Sequence, residues 1–109
     1  MTFDISTLQF NADGLIPAIA VDAASGEVLM LAWMNAESLA RTLATGQVTY
    51  WSRSRGQLWR KGETSGHTQA LVELYVDCDG DTLMLKVKQV GPACHTGAKT
   101  CFFNKIPLS

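Results

Sequence analysis

Leu15-Ile-Pro-Ala-Ile-Ala-Val21, Asp22-Ala-Ala-Ser-Gly26 and Glu27-Val-Leu-Met-Leu-Ala-Trp-Met34 form the stretch from which the fold is read. Two apolar runs flank a segment of turn composition, so the pair reads as a β-hairpin. Asn35 follows at once, with a side-chain oxygen suited to cap a helix. Glu37 then falls in the first turn, Leu39 and Leu43 repeat on one face, and Gly46 stands where a helix end favours a left-handed residue. One clear helix is predicted over about 35–45. Beyond it, Gln47 to Ser52 reads as a strand, and Arg55-Gly56 turns the chain into another, Leu58 to Lys61. Thr68 to Val76 is rich in apolar and branched residues. Thr82 to Val90 alternates, with Leu83, Leu85 and Val87 facing one way and Met84, Lys86 and Lys88 the other. Without repeats or linkers, these elements predict one mostly-β, α+β domain over residues 1–109.

Composition agrees with a single domain. The chain has 109 residues, 47% hydrophobic and 17% charged, with a net charge of -1. Its length suits one domain, and its apolar fraction argues against disorder. Near-neutrality removes the case for broad nucleic-acid binding. No apolar run approaches the roughly 18–20 residues of a membrane span, and no basic segment precedes an apolar one at the N-terminus. Three cysteines without an export signal read as reduced thiols rather than disulfides. The expectation is a cytoplasmic protein with no membrane or nucleic-acid partner.

Charge is segregated along the chain. Residues 1–40 carry five acids and no base, 41–61 five bases (Arg41, Arg53, Arg55, Arg60, Lys61) and no acid, and 62–81 five acids and no base. Four lysines close the sequence. Such blocks are either solvated faces or local fields of opposite sign that folding brings together.

Three segments carry chemistry. Asp77-Cys78-Asp79-Gly80-Asp81 lies between two predicted strands. Fully extended, its outer carboxylates would stand about 13 Å apart, but Gly80 permits a turn that could gather the oxygens around Mg²⁺ or Ca²⁺. The same composition also suits a solvated acidic turn. An EF-hand is excluded, because Thr82 and Lys88 stand where its loop needs Gly and Glu. Cys78, Cys94 and Cys101 are spaced C-x15-C-x6-C, which is not the C-x2-C pairing of a zinc ribbon. Three thiolates with one open position would make a catalytic zinc, and three unrelated buried thiols remain the alternative. His95 could close that site as a fourth ligand or stand beside it as a proton carrier. In Trp51-Ser-Arg-Ser-Arg55 and Trp59-Arg-Lys61-Gly-Glu-Thr-Ser65, arginines and serines alternating along a strand suit phosphate, and the indoles suit a base or sugar; plain cross-strand packing is the alternative.

Taken together, WSRSRGQLWRKGETSGH, VDCDGDTLMLKV and GPACHTGAKTCFF resemble the hallmark segments of the phosphoribosyl-AMP cyclohydrolase family, enzymes of histidine biosynthesis. The match runs over about residues 14–103, with three motifs in order. The resemblance implies hydrolysis of the N1–C6 bond of the adenine ring in N1-(5-phosphoribosyl)-AMP. It also implies zinc on Cys78, Cys94 and Cys101, and Mg²⁺ on Asp77, Asp79 and Asp81. The implied fold is a buckled, barrel-like sheet with helices, assembled as a homodimer whose zinc ligands come from both chains.

The chemistry reasoned beside that resemblance needs a water-derived nucleophile at C6, for which His95 is the candidate general base. The substrate's phosphates are assigned to Arg53, Arg55 and Lys61 with Ser52, Ser54, Thr64 and Ser65, and its flat rings to Trp51 and Trp59. Glu63 is placed on a ribose hydroxyl or a basic side chain. A cytidine-deaminase chemistry is excluded, since its H-x-E and P-C-x-x-C signatures are missing. The remaining alternative is a zinc-stabilised, non-enzymatic module for phosphorylated nucleotides or RNA, with His95 closing a four-ligand site.

Overall fold

A computed structural model describes residues 3–108, so residues 1, 2 and 109 of the expected domain lie outside the described residues. The expected hairpin forms. β1 (Ile16–Asp22) and β2 (Val28–Met34) run antiparallel, with Ile16 opposite Met34 and Val21 opposite Val28. The turn is held by its own acid: the Asp22 carboxylate accepts from the Ser25 N–H at 2.9 Å and the Ser25 hydroxyl at 2.7 Å. Pro17 is tolerated in β1 because the pairing of this strand with its other neighbour begins only at Ala18.

The helix α1 (Ala36–Thr45) begins and ends as read from the sequence. The Asn35 side chain accepts from the Ser38 N–H at 2.8 Å, and the Ser38 hydroxyl accepts from the Asn35 N–H at 2.9 Å, a reciprocal cap. Gly46 adopts φ of 74° and closes the other end. Leu39 is buried, whereas Leu43 is half-exposed; both line one apolar groove. The strand expected from Gln47 begins at Thr49, because the Thr49 N–H bonds the Thr42 hydroxyl of α1 at 2.9 Å.

β3 (Thr49–Ser52) and β4 (Gln57–Arg60) form a second hairpin. The turn expected at Arg55-Gly56 forms and also takes in Arg53 and Ser54, so the arginines and serines expected to alternate along a strand lie mostly in the turn. The turn closes by a 2.8 Å bond from the Gly56 N–H to the Ser52 carbonyl, with Gly56 at φ of 62°. A third antiparallel pair joins β5 (Gln69–Val76) to β6 (Leu83–Gln89), and β6 pairs in parallel with β1. The six-stranded order is β4-β3-β2-β1-β6-β5. The sheet curls into a half-barrel: a bridge from Gln47 to Ala70 and a 3.0 Å bond from the Val48 N–H to the Gln69 carbonyl draw the β3 entry onto the far edge strand β5. This matches the mostly-β, barrel-like domain with one helix.

The alternation read in 83–87 holds, with Leu83, Leu85 and Val87 fully buried against Ile16, Ala18, Ala20, Leu29 and Met34. The alanines of β1 let the parallel strands and their neighbours pack closely. Leu85→Ala should cost about 2–5 kcal/mol in urea unfolding, and Asn35→Ala about 1 kcal/mol through the lost cap; equal losses would mean that burial does not set the difference.

Candidate active site

The loop after β6 begins at Gly91, with φ of 69°, where an added Cβ would lie 2.6 Å from the His67 ring. Glycine at 91 therefore lets the imidazole pack flat on the backbone. The loop then folds on itself, the Cys94 N–H bonding the Ala98 carbonyl at 3.1 Å. It is tied down at its end, where the Thr100 hydroxyl donates to Val28 O at 2.7 Å and the Cys101 N–H to Leu29 O at 2.7 Å. An exposed Lys99–Glu27 ion pair of 3.0 Å adds a weaker tie across the charge blocks.

Against this loop stands the segment after β4. Gly62 has φ of 80°, and a Cβ there would meet the His67 carbonyl carbon at 2.5 Å, so residues 62–67 can close only around glycine. Between the two segments opens a cavity of about 280 Å³, lined by Trp59, Lys61, Gly62, Glu63, Thr64, Ser65 and His67 on one side. Pro92, Ala93, Cys94, His95 and Gly97 line the other. Seven residues expected to carry chemistry thus share one pocket: Trp59, Lys61, Glu63, Thr64, Ser65, Cys94 and His95.

Lys61 sits deepest. It is buried, its ammonium donates to the Ala93 carbonyl, and it lies 5.2 Å from the centre of the Trp59 ring. Burial pushes this ammonium below the usual lysine range, while the nearby Cys101 and Cys94 thiols oppose that shift. The Thr96 hydroxyl bonds the Cys94 sulfur at 3.0 Å and holds its thiol below the ordinary cysteine value, helped by Cys101 and Lys61. Burial raises Cys101, and its neighbour Cys94 raises it further. The two thiols and one ammonium are close enough to shift one another's titration. Tyr50, raised by burial and by Cys101, backs it from the core.

Cys78 is elsewhere. It lies exposed in the turn before β6, whereas Cys94 follows β6, and seven residues of strand between them amount to about 23 Å. Among the described residues, the only set of three or more metal-competent side chains within range is Asp77, Asp79 and Asp81. Their ligand atoms lie within 4.8 Å of one another, gathered by the turn that Gly80 makes with φ of 75°. The Gly80 N–H bonds the Asp77 carbonyl at 3.0 Å, and the Asp81 N–H bonds an Asp77 carboxylate oxygen at 3.1 Å. Desolvation is the largest single influence on Asp77 and raises it, but hydrogen bonds from the amides of Asp81, Thr82 and Gly80 and from the Asp81 side chain together outweigh it and lower its pKa. Desolvation and the Asp77 and Asp79 charges raise Asp81. Clustered carboxylates with mutual repulsion suit a hard divalent cation.

Other expected residues stand apart from the pocket. Trp51 pairs across strands with Trp33 on β2, and the Arg53 guanidinium lies 4.6 Å over the Trp33 ring. Ser52 accepts from the Arg55 backbone and side chain, each at 3.3 Å, with Ser54 3.4 Å from it. These residues form an exposed cationic turn.

Three relatives and a family profile match this sequence. The profile of phosphoribosyl-AMP cyclohydrolase matches residues 30–103. The chain belongs to the phosphoribosyl-AMP cyclohydrolase family of enzymes. It is similar to the phosphoribosyl-AMP cyclohydrolase of Dinoroseobacter shibae, with 66% identity over 97% of this chain and 89% of the relative. The protein of that name from Acidiphilium cryptum is 67% identical over 94% of this chain and 88% of its own length. A third, from Cereibacter sphaeroides, is 63% identical over 97% and 89%.

Within this cyclohydrolase domain, sequence reasoning gave His67 no role, although it lines the pocket. A buried polar chain supports it: the Tyr50 hydroxyl donates to Gln69 at 2.6 Å, Gln69 to Gln89 at 2.8 Å, and Gln89 to the His67 carbonyl at 3.3 Å. The sequence signal was Gly62 and Gly91, whose close approach to His67 no periodicity reveals. Lys61→Met keeps the apolar stem but leaves the Ala93 carbonyl without its donor. It should lower stability by about 1–3 kcal/mol in urea unfolding of metal-free protein; an unchanged midpoint would mean the buried bond contributes nothing net.

Proposed function

We propose that this chain is a zinc-dependent cytoplasmic hydrolase that opens the adenine ring of N1-(5-phosphoribosyl)-AMP at the N1–C6 bond, a step of L-histidine biosynthesis. The observation that carries the reading is the pocket in which Cys94 and His95 face Lys61, Glu63, Thr64 and Ser65. The names of the relatives support the substrate.

In this reading Cys94 and Cys101 of one chain and Cys78 of a second hold a zinc ion. Sharing between chains is supported by β6, which separates Cys78 from the other two thiols, and the choice of zinc by the soft sulfur donors. Asp77, Asp79 and Asp81 hold Mg²⁺, supported by their clustered oxygens. Zinc bound by three thiolates supplies Lewis acidity and an acidified water, weaker than with imidazole ligands because the thiolates are anionic.

The chain's own groups do the rest. One His95 imidazole nitrogen accepts the proton that water loses as the C6–O bond forms, and returns it to N1 as the N1–C6 bond breaks. The substituent on N1 leaves the substrate ring cationic, so C6 is already electron-poor. Lys61 offsets the thiolate charge from its buried position rather than meeting phosphate on the open surface. Arg53 and Arg55, with Ser52, Ser54, Thr64 and Ser65, meet the phosphates. Trp59 and Trp51 offer flat faces, and Glu63 takes a ribose hydroxyl.

The test is the absorbance change of phosphoribosyl-AMP incubated with the protein, Zn²⁺ and Mg²⁺, alongside metal analysis. About one zinc per subunit is expected; active, metal-replete protein without zinc would sink the reading. His95→Ala should keep zinc and lose on the order of 10²–10⁴ in turnover, so unchanged turnover removes His95 from the mechanism. Cys78→Ala and Cys101→Ala, each inactive alone, should regain activity when mixed and allowed to exchange subunits. No recovery after verified exchange would place the thiol site within one chain.

A further inference from the structure

We infer that the C-terminal segment, residues 102–108, is a strap that docks in an apolar groove of a second copy of this chain; the inference rests on the shared thiol site proposed above. The segment carries Phe102, Phe103, Ile106 and Leu108, all exposed and the last two 79% and 95% so. It leaves Cys101, which is pinned to the start of β2, and has no regular structure of its own. Four large apolar side chains carried in water on an unpaired extended segment gain stability only by finding a surface.

One groove is open to receive it. Ile5, Leu8 and Phe10 face Leu39, Ala40 and Leu43 of α1 across an apolar trough of about 590 Å³. Within a single chain the root of the strap at Cys101 and the groove lie at opposite ends of the central strands. Gln9, between Leu8 and Phe10, bonds the Gly80 carbonyl at 2.8 Å, which ties the groove to the acidic turn before β6. Cys101 instead bonds Leu29, early in β2, beside the strand ends that lie near the far end of β6.

Joining two chains removes that separation. If Cys101 of one copy and Cys78 of the other share a metal, the root of the strap arrives beside the other copy's Gly80, two residues from Cys78 and in contact with Gln9. Seven extended residues reach about 23 Å, enough to run from there along α1. Each copy offers one strap and one groove, so the exchange is reciprocal and closes as a two-fold dimer. The strap would also cover the rim of the metal site.

The experiment uses the full chain. A photo-activated benzophenone side chain is placed at position 106, and labelled and unlabelled chains are mixed before irradiation. Cross-links should join different chains and land within residues 5–10 or 36–44; links within one chain, links elsewhere, or none would overturn the inference. In parallel, Ile106→Asp and Leu43→Asp should each raise the dimer dissociation constant at least about 10-fold, as expected for losing one buried aliphatic side chain per contact. Their combination should be little worse than either alone, because both break one contact. Both sites are exposed enough in the single chain that circular dichroism should stay unchanged. Zinc content and the Cys78→Ser variant are read on the same samples. Zinc retained across chains with an unchanged dissociation constant defeats the strap alone. Inter-chain cross-links without zinc defeat the shared thiol site and leave the docking standing.

Discussion

The parallel pairing of β1 with β6 is the constraint on which the rest of the molecule depends. It seats Leu83, Leu85 and Val87 against Ala18 and Ala20 at the centre of the core. It also gives β6 two ends with different chemistry. The turn before β6 gathers three carboxylates, and the loop after it presents two thiols and a histidine. A strand is stiff and extended, so the two centres lie at opposite ends of β6. The half-barrel curl does the complementary task, bringing the β4 exit and the 62–67 segment over the thiol loop.

Charge within the pocket follows from burial. Cys94 is held low by hydrogen bonds, and Lys61 is a desolvated cation within reach of it. A buried ammonium is costly unless hydrogen bonds or counter-charges compensate it, and here the Ala93 carbonyl accepts from it while the nearby Cys94 and Cys101 sulfurs favour its charged form. The exposed arginine turn differs in kind: its cations are solvated and free to meet a mobile anion. The separation of acids and bases along the chain becomes, in three dimensions, a few weak surface pairs such as Lys86–Glu73 at 3.8 Å and two exposed patches of opposite sign, the acidic turn at 77–81 and the arginine turn at 53–55.

Much of the architecture was legible locally. Asn35, Ser38 and Gly46 mark the helix because caps act within a turn of the residues they satisfy. The β1–β2 hairpin and the alternation of 83–87 were equally readable, since a strand's two faces differ by period two. The turn at Arg55-Gly56 was readable from its glycine, whereas the alternation of arginine and serine suggested a strand where Arg53 and Ser54 in fact belong to the same four-residue turn, closed by the bond to the Ser52 carbonyl. His67 was passed over because its importance comes from packing on Gly91, 24 positions away.

By itself, then, the sequence determined the elements with local causes, the three motifs and the family they indicate. Tertiary structure alone decided that β1 and β6 run parallel, that Lys61 lies buried beside the thiols, and that Cys78 stands apart from Cys94 and Cys101. The physical reason is range. Caps, turns and alternation are satisfied by neighbours along the chain, whereas burial and the meeting of distant side chains depend on which surfaces the collapsed sheet removes from water.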